Sequence, residues 1–128
     1  MNEVTNALVH NRAGQRCEYC LMRWEWEPFF RYHVDHIIPR KHDGGDEELN
    51  LAQACHKCNL NKGTNLSGID PVTKRIVTLF NPRIQVWKSH FEIREAVVYG
   101  LTECGRATIR VLMMNNESRV ELRHLEVN

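Results

Sequence analysis

The clearest chemistry in this chain lies in two pairs of cysteines, Cys17 and Cys20 in "CEYC", and Cys55 and Cys58 in "CHKC". Two residues between the cysteines let both thiolates of a pair reach one ion from a single tight turn. Two such turns complete a tetrahedral shell that is closed to other ligands. The pattern predicts a structural zinc ion held by all four sulfurs. Unliganded core cysteines would not need the same spacing twice, and a redox role for one pair would leave the other unexplained. Five cysteines are an odd number for a disulfide framework, which points to a reducing compartment. Cys104 stands apart and is expected as a small buried hydrophobe.

Residues 21–54 separate the pairs, more than the roughly 15–20 residues of an ordinary zinc ribbon, so something is inserted in the zinc loop. That insert holds "HVDHIIPRKHDGGDEELN" at 33–50, where His33, Asp35 and His36 interrupt a stretch that Val34, Ile37 and Ile38 would make a buried strand. Histidine exchanges a proton near neutral pH, and a carboxylate beside it offers a hard oxygen ligand. Adjacent residues on a regular strand point to opposite faces. A bend or bulge near Asp35 is therefore expected; otherwise His33 and Asp35 form the pair on one face.

The elements that must position these residues are short. Residues 1–16 show no clear period and suggest a polar approach to the first cysteine turn. "LMRWEWEPFFRY" at 21–32 is rich in rings, with Trp24, Trp26, Phe29, Phe30 and Tyr32 expected to pack over a small metal-stapled core. A strand is predicted over 33–38, a polar loop with a Gly44-Gly45 turn after it, and a second strand in "LAQAC". "HKCNLNKG" predicts a helix that stops at Gly63. "TNLSGIDPVTK" has the composition of a linker, "RIVTLF" and "AVVYGL" suggest strands, and "GRATIRVLMMNNESRVELRHLEV" predicts two helices broken at Asn115-Asn116.

Length and composition set the remaining bounds. At 128 residues the chain has the size of one domain, and its 42% hydrophobic and 26% charged residues suit a folded protein rather than a disordered one. A net charge of +1 carries no overall signature of polyanion binding, so any such surface must be local. Arg40 and Lys41 form one basic cluster, which Arg12, Arg16, Arg23 and Arg31 would extend if they share its face. No apolar run approaches the roughly 18 residues of a membrane span, and "MNEVTNALVHNR" lacks the build of a signal peptide, so a cytoplasmic setting is expected.

"CEYC" at 17–20, "HVDHIIPRKHDGG" at 33–45, "LNLAQACHKCN" at 49–59 and Lys62-Gly63, in that order, resemble the HNH (ββα-metal) endonucleases over roughly residues 17–66. The rest, including "LFNPR" at 79–83, looks like the tail of a stand-alone bacterial or phage-type HNH protein. The resemblance implies an α+β fold. Its ββα-metal, treble-clef-like core would span residues 1–66, with a C-terminal α+β extension at 67–128 packed on it. It also implies roles. His36 would be the general base, Asn50 would orient the loop and through it the base, and Asp35 with Asn59 would hold a catalytic Mg²⁺ or Mn²⁺. Asn59 stands where the family often has histidine, making this an HNN variant. The implied partner is double-stranded DNA, read with weak sequence specificity because contacts fall mainly on the backbone, with a homodimer as an option.

Elementary chemistry agrees with those roles. Phosphodiester hydrolysis needs a group that deprotonates water and a cation that stabilises charge on the phosphoryl and leaving oxygens. Asp35 and Asn59 are oxygen donors, poor for zinc and suited to magnesium. Lys62, one turn beyond Asn59, is expected to meet a phosphate alongside Arg40 and Lys41. His33 is an optional extra ligand, while His42 and His56 are expected to be exposed or structural. Two other readings stand beside the endonuclease: a non-catalytic zinc-ribbon nucleic-acid-binding or adaptor module, and a nuclease subunit of a larger phage or defence complex. A bare zinc ribbon has no need of Asp35, His36, Asn50 and Asn59 together.

Overall fold

The computed structural model describes residues 2–23 and 32–127. Its contacts divide the chain into two compact units, 1–64 and 65–128. The ring-rich segment 24–31 lies outside the described residues, and with it the packing expected of Trp24, Trp26, Phe29 and Phe30 and the placement of Arg31. No helix among the described residues is long and apolar enough to cross a membrane.

The first unit opens with a helix where the sequence suggested an irregular approach: α1, Glu3–Ala13. Asn2 caps it, its side-chain oxygen accepting from the Thr5 amide at 2.8 Å, and Gly14 ends it at φ +73°. The helix escaped detection because Val9 is its buried residue while Val4 and Leu8 face outward, leaving no apolar stripe. Polar bonds hold it instead. The Arg12 guanidinium donates to Leu51 O at 2.7 Å and Glu48 O at 3.2 Å, and His10 pairs with the buried Gln53.

A ββα unit follows. β1 (His33–His36) pairs antiparallel with β2 (Leu51–Ala54) in the register His33 with Ala54 and His36 with Leu51, and α2 (His56–Lys62) packs on both. β2 is buried on both faces, and its one polar side chain, Gln53, is buried and donates to Gly14 O and Arg16 O. The loop between the strands contains two single-turn 3₁₀ segments, Arg40–His42 and Glu48–Asn50. Gly63 ends α2 at φ +50°, as the sequence predicts.

The second unit has two hairpins and three helices. The stretch expected as a linker contains β3 (Ser67–Ile69), which pairs with β4 (Ile76–Thr78). A short helix, α3 (Trp87–His90), leads into β5 (Phe91–Arg94), which pairs with β6 (Val97–Gly100) through a turn with Glu95 and Ala96 both at positive φ. Two positive-φ residues give the twist that suits a tight hairpin. The helices α4 (Glu103–Leu112) and α5 (Glu117–Val127) are the two expected of "GRATIRVLMMNNESRVELRHLEV", with the break at 113–116. Phe80 and Phe91 meet edge-on at 5.2 Å, and Leu79, Val98, Ala107, Leu112 and Met114 complete the core. Two buried arginines of α5 serve the open end of α4. Arg119 donates to Leu112 O at 2.6 Å and Met113 O at 3.1 Å, while Arg123 donates to Met114 O at 2.6 Å and Ala96 O at 3.0 Å. These oxygens lie at or just beyond the last turn of α4 and, for Ala96, in the β5–β6 turn, where charged donors take the place of water.

Candidate active site

The four-cysteine centre brackets the site, with one pair before β1 and the other at the start of α2. The sulfurs of Cys17, Cys20, Cys55 and Cys58 all lie within 4.8 Å of one another and all four residues are buried. Backbone amides turn toward them: Tyr19 and Cys20 N–H approach the Cys17 sulfur at 3.4 and 3.5 Å, and the Cys58 N–H approaches the Cys55 sulfur at 3.4 Å. Burial pushes the Cys17 and Cys58 thiols up, and the neighbouring cysteines add to the rise. A sulfur-only set at this separation fits zinc, which deprotonates coordinating thiols outright.

Around this staple the candidate residues converge. Val34, Asp35, His36, Pro39, Arg40, Lys41, Asn59, Gly63 and Thr64 line one open cavity of about 370 Å³. Asp35 and His36 thus share a cavity although the strand is regular: the β1–β2 register is unbroken through His36, and the chain bends at Ile37-Ile38. The bend expected at Asp35 comes after both residues. Alternation is preserved, with His33 and Asp35 facing α2 and His36 facing the loop.

Asp35 is buried, and Tyr19 donates its hydroxyl to the carboxylate at 2.7 Å while the Lys62 ammonium lies 3.1 Å away. Burial raises the Asp35 carboxyl above its ordinary value, and Lys62 and Tyr19 partly offset that. Lys62 does not reach the surface. It is 2% exposed and also donates to His36 O at 3.0 Å and Ile37 O at 3.1 Å. The expected phosphate contact of Lys62 is therefore corrected: this ammonium neutralises a buried carboxylate and pins the backbone beside His36. Lys41 is exposed, and Arg40 is gripped by Asp46 through bonds of 2.9 and 3.1 Å.

Asn50 is buried where the loop closes. Its amide oxygen accepts from Ile38 N at 2.8 Å, and its nitrogen donates to Ile38 O at 3.0 Å and Gly45 O at 2.9 Å. Gly44 allows this closure, since a Cβ there would lie 1.6 Å from Ile38 O. Asn50 thus braces the loop from beneath without lining the cavity. His33 sits with its Nε2 3.3 Å from His56 Nδ1, apart from the cavity residues, and burial followed by His56 lowers its basicity. His42 is exposed.

Sequence reasoning missed Tyr19 and Asp46. Asp46 Oδ1 lies 2.7 Å from His36 Nε2. No spacing rule marks a loop aspartate ten residues past its partner, whereas Tyr19, inside the first cysteine turn, was bound to be near whatever the zinc brings together.

As a chemical arrangement, the cavity offers a histidine, a carboxylate, an amide oxygen and cationic side chains to one small volume. Comparison with known proteins bears on what such a site is. Residues 17–65 match the family model described as HNH endonuclease. No curated protein and no solved structure matches the chain. The matched span includes both cysteine pairs and every residue that lines the cavity.

Proposed function

From the match of residues 17–65 to the HNH endonuclease family model, we propose that this chain is a metal-dependent endonuclease that hydrolyses DNA phosphodiester bonds at the cavity beside β1. One observation carries the reading: Asp35, His36 and Asn59, which come from a strand and a helix, line the same cavity as Arg40 and Lys41. A zinc ribbon that only binds needs no such convergence.

In the reaction, His36 takes a proton from the attacking water, which bonds to phosphorus as the bond to the 3′ oxygen breaks. Asp35 and Asn59 would hold a divalent ion, Mg²⁺ or Mn²⁺, that stabilises charge on the phosphoryl and leaving oxygens. The donor set fits: a carboxylate has about four acceptor sites, of which Tyr19 and Lys62 use some, and Asn59 adds an amide oxygen. Asn50 keeps the loop, and with it the histidine, at a fixed place over the substrate. Lys41 is an exposed cation of the cavity available to a DNA phosphate, as a point charge without sequence preference. The four cysteines hold zinc for the fold and take no part in the chemistry.

The test is incubation of supercoiled plasmid with zinc-loaded protein and Mg²⁺ or Mn²⁺. Wild type is expected to nick it, and His36→Ala and Asn59→Ala are expected to lose at least about a hundredfold in rate. Absence of nicking with any divalent ion would overturn the enzyme, and full activity in His36→Ala would overturn the assigned base.

A further inference from the structure

We propose that Asp46 is a positioning residue for His36: it fixes the imidazole in one tautomer, with the proton on Nε2, and so makes Nδ1 the atom that accepts the proton from water. The inference rests on the endonuclease reading for its catalytic consequence, but its structural half stands alone.

A carboxylate can only accept, so the 2.7 Å contact between Asp46 Oδ1 and His36 Nε2 requires that a neutral imidazole carry its hydrogen on Nε2. The other ring nitrogen then keeps its lone pair. Arg40 also bonds both Asp46 oxygens through one guanidinium nitrogen, at 2.9 and 3.1 Å, which favours this placement of the carboxylate. Arg40 and His36 both line the cavity, whereas Asp46 is not among its lining residues and reaches it through the His36 ring. The backbone beneath is equally fixed: Lys62 donates to His36 O and Ile37 O, and Asn50 bonds both backbone groups of Ile38. A histidine held at its ring by a carboxylate and at its backbone by an ammonium has little freedom to turn. A base that must meet a water in one geometry gains from that restraint. Arg40 also acquires a role other than the one its sequence suggested. Its guanidinium holds Asp46 in place, and any phosphate it contacts must share it.

Two measurements on the full zinc-loaded chain test this. Long-range proton–nitrogen correlation spectra of histidine-labelled protein, with His36 assigned by its loss in His36→Gln, are expected to show the Nε2–H tautomer in wild type. Asp46→Ala is expected to show a mixture of tautomers. Plasmid nicking by Asp46→Ala is expected to fall at least about tenfold in kcat with KM unchanged, and Asp46→Glu to recover part of the loss. An Nδ1–H tautomer in wild type, a tautomer unchanged in Asp46→Ala, or kcat within twofold of wild type overturns the assignment. If wild type nicks nothing, the endonuclease reading fails while the spectra still decide whether Asp46 fixes the ring.

Discussion

Lysine 62 is a cation with nowhere to go but Asp35, and replacing it tests how the site is held. In Lys62→Met the stem is kept and the ammonium removed, leaving a carboxylate 5% exposed with Tyr19 as its nearest remaining donor and two backbone oxygens, His36 O and Ile37 O, without their 3.0 and 3.1 Å bonds. Removing one member of a buried pair costs about 3–5 kcal/mol, a large share of the roughly 5–15 kcal/mol that holds a typical domain together. The cost should depend on pH in a definite sense. Burial already raises the Asp35 carboxyl and Lys62 pulls it back, so without Lys62 it rises further. The folded state then binds the proton more tightly than the unfolded chain. Its contribution to stability is complete below the ordinary aspartate value of about 3.9 and is lost as pH rises through the folded value. The penalty of Lys62→Met is therefore largest at neutral pH and shrinks on acidification. Native-state hydrogen exchange at the β1 and β2 amides reads the free energy of the first unit alone, in zinc-loaded protein without magnesium. A penalty under about 1 kcal/mol at neutral pH, or one that does not shrink as pH falls toward the ordinary aspartate value, would refute the account of Lys62 as the counter-ion of a buried aspartate.

Three further outcomes follow from the same contacts. Metal analysis should find one zinc per chain, and Cys17→Ser or a strong chelator should abolish exchange protection at β1 and β2, because the apo cluster leaves four buried thiols in place of a bound ion. Asn50→Ala removes three bonds made by a buried amide and should cost about 1–3 kcal/mol, read by the same exchange, with a fall in nicking rate as the loop over 38–45 loosens. In the second unit the Asp70 carboxyl is held far below its ordinary value, first by the paired bonds from Arg106 at 2.9 and 2.8 Å. Its stabilisation is therefore present above the ordinary carboxylate range and lost as pH falls through the folded value, so Asp70→Asn should lower the melting temperature at neutral pH and flatten its decline in acid.

What the sequence made legible was what depends on local spacing. Cys17, Cys20, Cys55 and Cys58 cluster because two-residue gaps permit little else, and the strand, strand and helix at 33–62 follow from short apolar runs and a terminal glycine. α1 was hidden because its hold on the unit is polar, through Arg12 and His10, and periodicity detects only apolar faces. β3 was hidden because three residues with two exposed side chains give no alternation to detect. Lys62 was misjudged although a signal existed. Cys58 must point inward to the metal, and a residue four further along a helix lies on the same face, so Lys62 had to be inward too. Its partner Asp35 was then the nearest buried carboxylate able to receive it.

The arrangement explains why a structural metal belongs in so small a site. The cavity takes residues from the end of β1, from the 39–41 turn and from α2. Cys55 starts α2 and caps it, while Cys17 and Cys20 bracket Tyr19, whose hydroxyl reaches Asp35. Zinc bonds to these cysteines therefore fix the helix that carries Asn59 and Lys62 relative to the turn that carries Tyr19, and both of those bear on Asp35. A loss of zinc should accordingly disturb the environment of Asp35 before that of the His36 ring, because α2 holds His36 only at its backbone oxygen, through Lys62, while Asp46 holds the ring. Chelation at partial occupancy, followed in the Tyr19 ring and His36 imidazole resonances, should shift the tyrosine signals first; equal shifts in both from the outset would contradict this division of support.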